Sequence, residues 1–263
     1  MITSVITFIL DSDHLPVWKL DGLKRLSGLF KSITIWRNLS REQQCNLEQT
    51  LNVLSIKNLD GDLCQLIIEG LDAELACMVL TEFVSQKFHL ISTTHLRKKT
   101  AITDESVLSE ILNTQPFFIH FIQEPLCELT KDIFIYRALK LIAETDEFLI
   151  PLFGALQKRE LVSSTYLGEL VALPHAIHPS VREPTIVIQR LAEPVSWSKP
   201  EQFVSLIILL LLPEKPDRSI LLPATLFSRW LLNAFNRQVL VDMEDHFTLE
   251  FMIRYVMTHY QPT

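Results

Sequence analysis

Glycine is scarce in this chain, with 6 in 263 residues, and its scarcity limits what the backbone can cradle. Neither a G-x-G-x-x-G nor a G-x-x-x-x-G-K-S/T spacing can be assembled from Gly22, Gly28, Gly61, Gly70, Gly154 and Gly168. Dinucleotide and nucleoside-triphosphate loops of those types are excluded, because both need glycine to bring backbone N–H groups against phosphate. Cysteine is sparse too. Cys45, Cys64, Cys77 and Cys127 form no C-x-x-C pair and read as reduced, mostly buried thiols. Long apolar runs are absent: Val204–Leu212 is strongly apolar but is about half the roughly 20 residues a spanning helix needs, so it reads as a buried strand. Met1 to Leu10 is apolar without a basic n-region or a small-residue cleavage site. The expectation is a cytoplasmic protein with no signal peptide and no membrane insertion.

A basic excess is missing as well. The formal net charge is −7, and 48% of residues are hydrophobic, which excludes intrinsic disorder. Residues 1–100 carry 11 basic and 11 acidic side chains, whereas residues 101–263 carry 13 and 20, so the whole excess is acidic and lies in the second part. Neither part has the positive field that a phosphate backbone requires, and nucleic acid is not expected as a partner. The one basic cluster, Arg97-Lys98-Lys99, falls in a polar stretch that reads as a solvated linker.

What is present is an α/β (α+β) pattern in two segments. In the first, strands are expected at Val5–Leu10, Ser32–Trp36 and Leu63–Glu69, with helices at Pro16–Leu29, Gln43–Leu54 and Ala73–Gln86. The order, roughly β-α-β-β-α-β-α, describes a small open-faced sandwich over residues 1–88. Residues 89–105 read as the linker, and residues 106–263 as a second domain. There, helices are expected at Ser106–Leu112, Leu129–Glu144, Glu147–Leu161, Ile220–Asn233 and Thr248–Met257. Strands are expected at Leu167–Leu173, Thr185–Leu191 and Phe203–Leu212, the last covered on both faces.

The stretch with chemistry runs Arg159-Glu160-Leu161-Val162-Ser163-Ser164-Thr165-Tyr166-Leu167-Gly168-Glu169-Leu170-Val171-Ala172-Leu173-Pro174-His175. A helix ends in Arg-Glu, a hydroxyl-rich turn follows, and an apolar strand ends in Pro-His. With these elements in order, the chain from about Ser106 to Tyr260 resembles the IIA component, fructose/mannitol type, of the bacterial phosphoenolpyruvate-dependent sugar phosphotransferase system. The resemblance implies a mixed sheet flanked by helices and a phosphohistidine at His175, with Arg159 clamping the phosphoryl group. Ser164 and Thr165 would hydrogen-bond that group or hold the loop. The residue types fit the work: imidazole nitrogen can hold and release a phosphoryl group, and a guanidinium fork matches its oxygens. No cofactor and no metal is implied. His178 reads as a loop residue before Pro179, and a His175–His178 pair lacks further ligands for a metal.

Two departures from the family pattern bear on transfer. Glycines that usually precede the apolar strand and follow the Pro-His are replaced by Glu169-Leu170 and Ala176, and glycine there allows close backbone approach to phosphate. A second histidine that assists the first should fall near Asp217-Arg218-Ser219. Arg218 can supply charge there but cannot shuttle a proton.

The first segment resembles HPr, the small phosphocarrier that feeds IIA components, through element order and fragments such as Lys31-Ser32-Ile33-Thr34-Ile35 and Glu69-Gly70-Leu71-Asp72. Its active loop is altered. Leu15 occupies the expected histidine position, Val17 the expected arginine, and Asn46 the regulatory serine of the second helix. His14 is the one phosphoacceptor candidate in that loop, and flanking Asp11 and Asp13 would repel an arriving dianion. A degenerate HPr-like domain kept for docking is the reading that follows.

Together these features describe a phosphotransferase-system carrier. It would take phosphate from HPr or an HPr-like donor onto His175 and pass it to a IIB component for sugar uptake, the acceptor there being a cysteine on another chain. The alternative is a non-catalytic module that docks partners of the system and senses their phosphorylation state, which the altered positions favour.

Overall fold

A largely apolar run that is buried without a break from Ile6 to Ile9 builds the first strand, Ile2–Ile9, of the computed structural model, which describes residues 2–11, 15–95, 111, 116–122, 130–142 and 145–261. The chain divides into two units, Met1–Glu110 and Ile111–Thr263. His14, Asp13, Cys127, the Arg97-Lys98-Lys99 cluster and most of the helix expected at Ser106–Leu112 lie outside the described residues.

The first unit runs β1 (Ile2–Ile9), α1 (Val17–Ser27), β2 (Ile33–Asn38), β3 (Gln43–Asn46), α2 (Thr50–Ser55), β4 (Leu63–Gly70), α3 (Ala73–Lys87) and β5 (His89–Thr93). Its sheet has the order β3-β2-β4-β1-β5, and every pairing is antiparallel. Ile6, Phe8, Trp36, Leu66 and Ile68 pack into one core with Leu20 and Leu23 of α1 and Ala76 and Leu80 of α3. The Phe8 and Trp36 rings meet edge to face at 5.5 Å. Gly22 lets α1 approach α3: a Cβ there would lie 2.7 Å from the Phe83 ring. Asp72, just before α3, accepts hydrogen bonds from Lys31 N (2.8 Å), Ser32 N (2.9 Å) and Ser32 Oγ. The Ser32 hydroxyl, with the two N–H groups, holds its carboxyl below the usual carboxylate range.

Three expectations are corrected in this unit. Residues 43–54 are not one helix: Gln43–Asn46 pair with β2, and only Thr50–Ser55 are helical. The leucines that implied a helical face do not share one, since Leu47 is buried while Leu51 is 82% exposed. Asn46 therefore closes a strand rather than sitting in the second helix, its Oδ1 accepting from Glu48 N at 2.8 Å. Residues 89–93, read as linker, form β5 and pair with β1. Cys64 and Cys77 are buried and Cys45 partly so; burial pushes the Cys64 thiol well up, with Asp62 adding to it.

The second unit runs β6 (Phe118–Ile122), α4 (Lys131–Ile142), α5 (Asp146–Val162), β7 (Tyr166–Gly168), β8 (Val171–Ala172), β9 (His175–Ile177), β10 (Thr185–Ser196), β11 (Phe203–Leu212), α6 (Arg218–Trp230), α7 (Ala234–Asp242) and α8 (His246–His259). The mixed sheet has the order β6-β10-β11-β8-β7, with β9 also on β11. Val204 through Leu212 are all buried, as the apolar run implied, and β11 pairs with β10, β8 and β9. The strand expected at Leu167–Leu173 is broken into β7 and β8, and α7 was not anticipated. Among the described residues no helix is long and apolar enough to cross a membrane.

Candidate functional site

The break in the expected strand places His175. Gly168 (φ 98), Glu169 (φ 42) and Leu170 (φ 61) turn the chain back through left-handed backbone, and β7 pairs antiparallel with β8. Pro174 has no N–H to continue a ladder, but its carbonyl accepts from Leu210 N at 2.9 Å. His175 is therefore not the end of one long strand but the first residue of β9, opposite Leu210 of β11. Of the positions where the resembled pattern has glycine, Glu169-Leu170 fall in this turn and hold left-handed backbone without glycine, whereas Ala176 lies in β9. Arg237 of α7 holds it: Nε donates to Glu169 Oε2 at 2.6 Å, and Nη1 donates to Leu231 O (2.7 Å) and Leu232 O (2.8 Å).

The His175 ring has a defined orientation. Nδ1 lies 2.9 Å from Leu173 O, and a carbonyl can only accept, so Nδ1 carries the proton. Nε2 is left with its lone pair, which accepts from Arg159 Nε at 3.3 Å. Arg159 Nη1 also donates to Ser163 O at 3.0 Å. Arg159 comes from the last turn of α5 and His175 from β9, so the structure brings together the two residues that the sequence paired. Both are half-buried. An imidazole whose Nε2 carries a lone pair and faces a guanidinium is equipped to take up an anionic electrophile.

The hydroxyls face elsewhere. Thr165 is buried; its Oγ1 donates to Glu160 Oε2 at 2.6 Å and its N–H to Glu160 Oε1 at 3.1 Å. Ser164 Oγ donates to Ser198 Oγ at 3.0 Å and accepts from Tyr166 N at 3.2 Å. In this state both side chains make contacts that hold the loop. His178 accepts from Ser180 N through Nδ1 at 3.1 Å. Asp217 caps α6, accepting from Ser219 N (2.8 Å) and Ile220 N (3.2 Å), and Arg218 is exposed. Among the described residues no group of three or more His, Cys, Asp or Glu side chains is placed to hold a metal ion. Glu160, part of the motif but given no role from sequence, turns out to be a buried hub.

In the first unit, Leu15 is buried at 5% exposure, while Val17 and Trp18 are more than half exposed. Asp11 is not an unpaired repulsive charge: Lys19, buried under Phe88, donates to Asp11 Oδ1 at 2.5 Å and to Lys87 O at 2.7 Å.

Residues 121–246 match the family model described as phosphoenolpyruvate-dependent sugar phosphotransferase system, EIIA 2, and over this stretch the chain is similar to the IIA components of that system. That match supports a phosphotransfer role in general terms. Among solved structures, the nitrogen regulatory protein IIA-Ntr from Neisseria meningitidis is 26% identical, covering 58% of this chain and 99% of that one, with a TM-score of 0.41. IIA mannitol from Escherichia coli is 20% identical, covering 51% of this chain and 94% of that one, with a TM-score of 0.38. The Escherichia coli complex of enzyme IIAMtl with phosphorylated enzyme IIBMtl also matches, at 18% identity over 43% of this chain and 90% of that one, with a TM-score of 0.32. No curated protein matches.

Proposed function

We propose that the chain is a cytoplasmic phosphoryl carrier of the sugar phosphotransferase system and that His175 is its phosphoacceptor. The observation that carries this is the ring geometry: Nδ1–H is tied to Leu173 O and Nε2 faces Arg159 Nε. The Nε2 lone pair attacks the phosphorus of a phosphohistidine on HPr or an HPr-like donor. A new P–N bond forms, the donor's P–N bond breaks, and its electron pair returns to the donor ring. Arg159 leaves Nε2 as the phosphoryl group arrives and turns its N–H groups to the phosphoryl oxygens. Transfer onward goes to a nucleophile, a thiolate by family resemblance, of a IIB component on another chain. Leu161, Val162 and Ile177, all more than half exposed and close in sequence to Arg159 and His175, supply an apolar rim for such partners.

The first unit has a different part. Its β-α-β-β-α-β-α order, with β5 added, supports an HPr-like domain, and the buried Leu15 at the acceptor position supports one that docks rather than transfers.

The test is incubation with enzyme I, HPr and labelled phosphoenolpyruvate. One acid-labile, alkali-stable phosphate is expected on His175, lost in His175→Ala and kept in His178→Ala. Label that survives His175→Ala overturns the assignment. No label on the wild-type chain in the presence of phosphorylated HPr would favour the regulatory module instead.

A further inference from the structure

Glu160 follows Arg159 on α5, and successive helical side chains point about 100° apart, so it projects away from His175. Its carboxylate is buried, yet it is well served by donors. Oε1 accepts from Thr165 N (3.1 Å), Trp197 Nε1 (2.9 Å) and Ser198 Oγ (3.1 Å), and Oε2 accepts from Thr165 Oγ1 (2.6 Å). Lys131 Nζ stands 3.8 Å from Oε1. A buried carboxylate is tolerated only when donors and a cation replace its water, and here they come from three places: α4, the turn after α5, and the loop after β10.

The held turn leads back to the acceptor. Thr165 is fixed through both backbone and side chain, and Ser163, two residues earlier, presents the carbonyl that accepts from Arg159 Nη1 at 3.0 Å. That second bond leaves Arg159 Nε aimed at His175 Nε2. We propose that Glu160 is a positioning residue: it anchors the 163–165 turn so that the Ser163 carbonyl aims the Arg159 guanidinium at His175. The proposal rests on His175 as the phosphoacceptor for its kinetic consequence, but its geometric content does not.

Two readouts on the full chain separate these. The first is the Arg159 Nε–H resonance of 15N-labelled protein, assigned by its loss in Arg159→Lys. The second is the rate of label transfer to His175. In Glu160→Ala the resonance should move to the position of a solvent-exposed arginine and transfer should fall by up to about tenfold, no more than the loss expected of Arg159→Lys itself. Glu160→Gln keeps an acceptor oxygen for Thr165 N and Trp197 Nε1, so it should retain the resonance and lose less. Combining Glu160→Ala with Arg159→Lys should slow transfer no further than Arg159→Lys alone, since the effect runs through Arg159. If Glu160→Ala does not fold, Thr165→Val should move the resonance in the same direction by less. An unmoved Arg159 resonance in the folded variant, or additive losses in the double variant, overturns the proposal. A wild-type chain that takes no label while its Arg159 resonance still responds to Glu160 sinks the phosphoacceptor reading and leaves the positioning role standing.

Discussion

At His175, the proposed phosphoacceptor, Leu173 O holds the proton on Nδ1 and leaves Nε2 as the nitrogen with a lone pair to offer. Arg159 adds a requirement of shape, because its Nε and Nη1 reach His175 Nε2 and Ser163 O at the same time. A lysine has one ammonium and cannot span both. Arg159→Lys should therefore slow transfer to His175 by about tenfold, the cost of one charge-assisted hydrogen bond, with the thermal midpoint unchanged. Equal losses of stability and transfer would mark Arg159 as structural. Arg159 and His175 were legible in the sequence because the motif spaces them within one helix–turn–strand passage. The role of Glu160 was not, since Trp197, one of its donors, lies 37 residues further along. For the same reason Thr165 could be read as a ligand of the phosphoryl group, when its hydroxyl is given to Glu160.

The elements repeat this division between local and distant causes. Long amphipathic or apolar stretches were readable, such as α1, α3, β4 and the buried run of β11, because each has one period or one unbroken character. Short strands were not. Residues 43–46 look helical beside the leucines that follow, and β5 and β9 exist because β1 and β11 offer free edges, which no local pattern announces. The β7–β8 turn is a further case. Two non-glycine residues hold left-handed backbone, at about 1–2 kcal/mol each, and Arg237 offsets this through Glu169 while capping the carbonyls at the end of α6. Arg237→Met leaves those partners unserved, so denaturant unfolding should show a loss of about 2–4 kcal/mol. A loss below about 0.5 kcal/mol, the range of ordinary surface substitutions, would mean that the turn holds itself.

At the scale of the whole molecule, the first unit has its own core, and its sheet is complete within residues 2–93. It lacks an imidazole at position 15, where Leu15 is packed inward, and it carries Trp18 outward on α1. Residues 1–95 alone should therefore take no label from enzyme I, and removing them should change the rate or the donor preference of labelling at His175. Label on His14 in the isolated unit, or unchanged kinetics without it, would defeat the docking role. The second unit makes its own demand on time. The carbonyl just before His175 is bonded to Leu210 N, and the His178 N–H is bonded to Leu212 O, so both ends of β9 are stitched to a strand buried along nearly its whole length. The ring is half-buried, yet its backbone is bonded to a strand at the centre of the sheet, so amide hydrogen exchange across residues 175–178 should be slower than in the loops on either side. In the proposed transfer, adjustment between donor and acceptor would then fall to side chains and to the visiting partner rather than to the strand beneath His175.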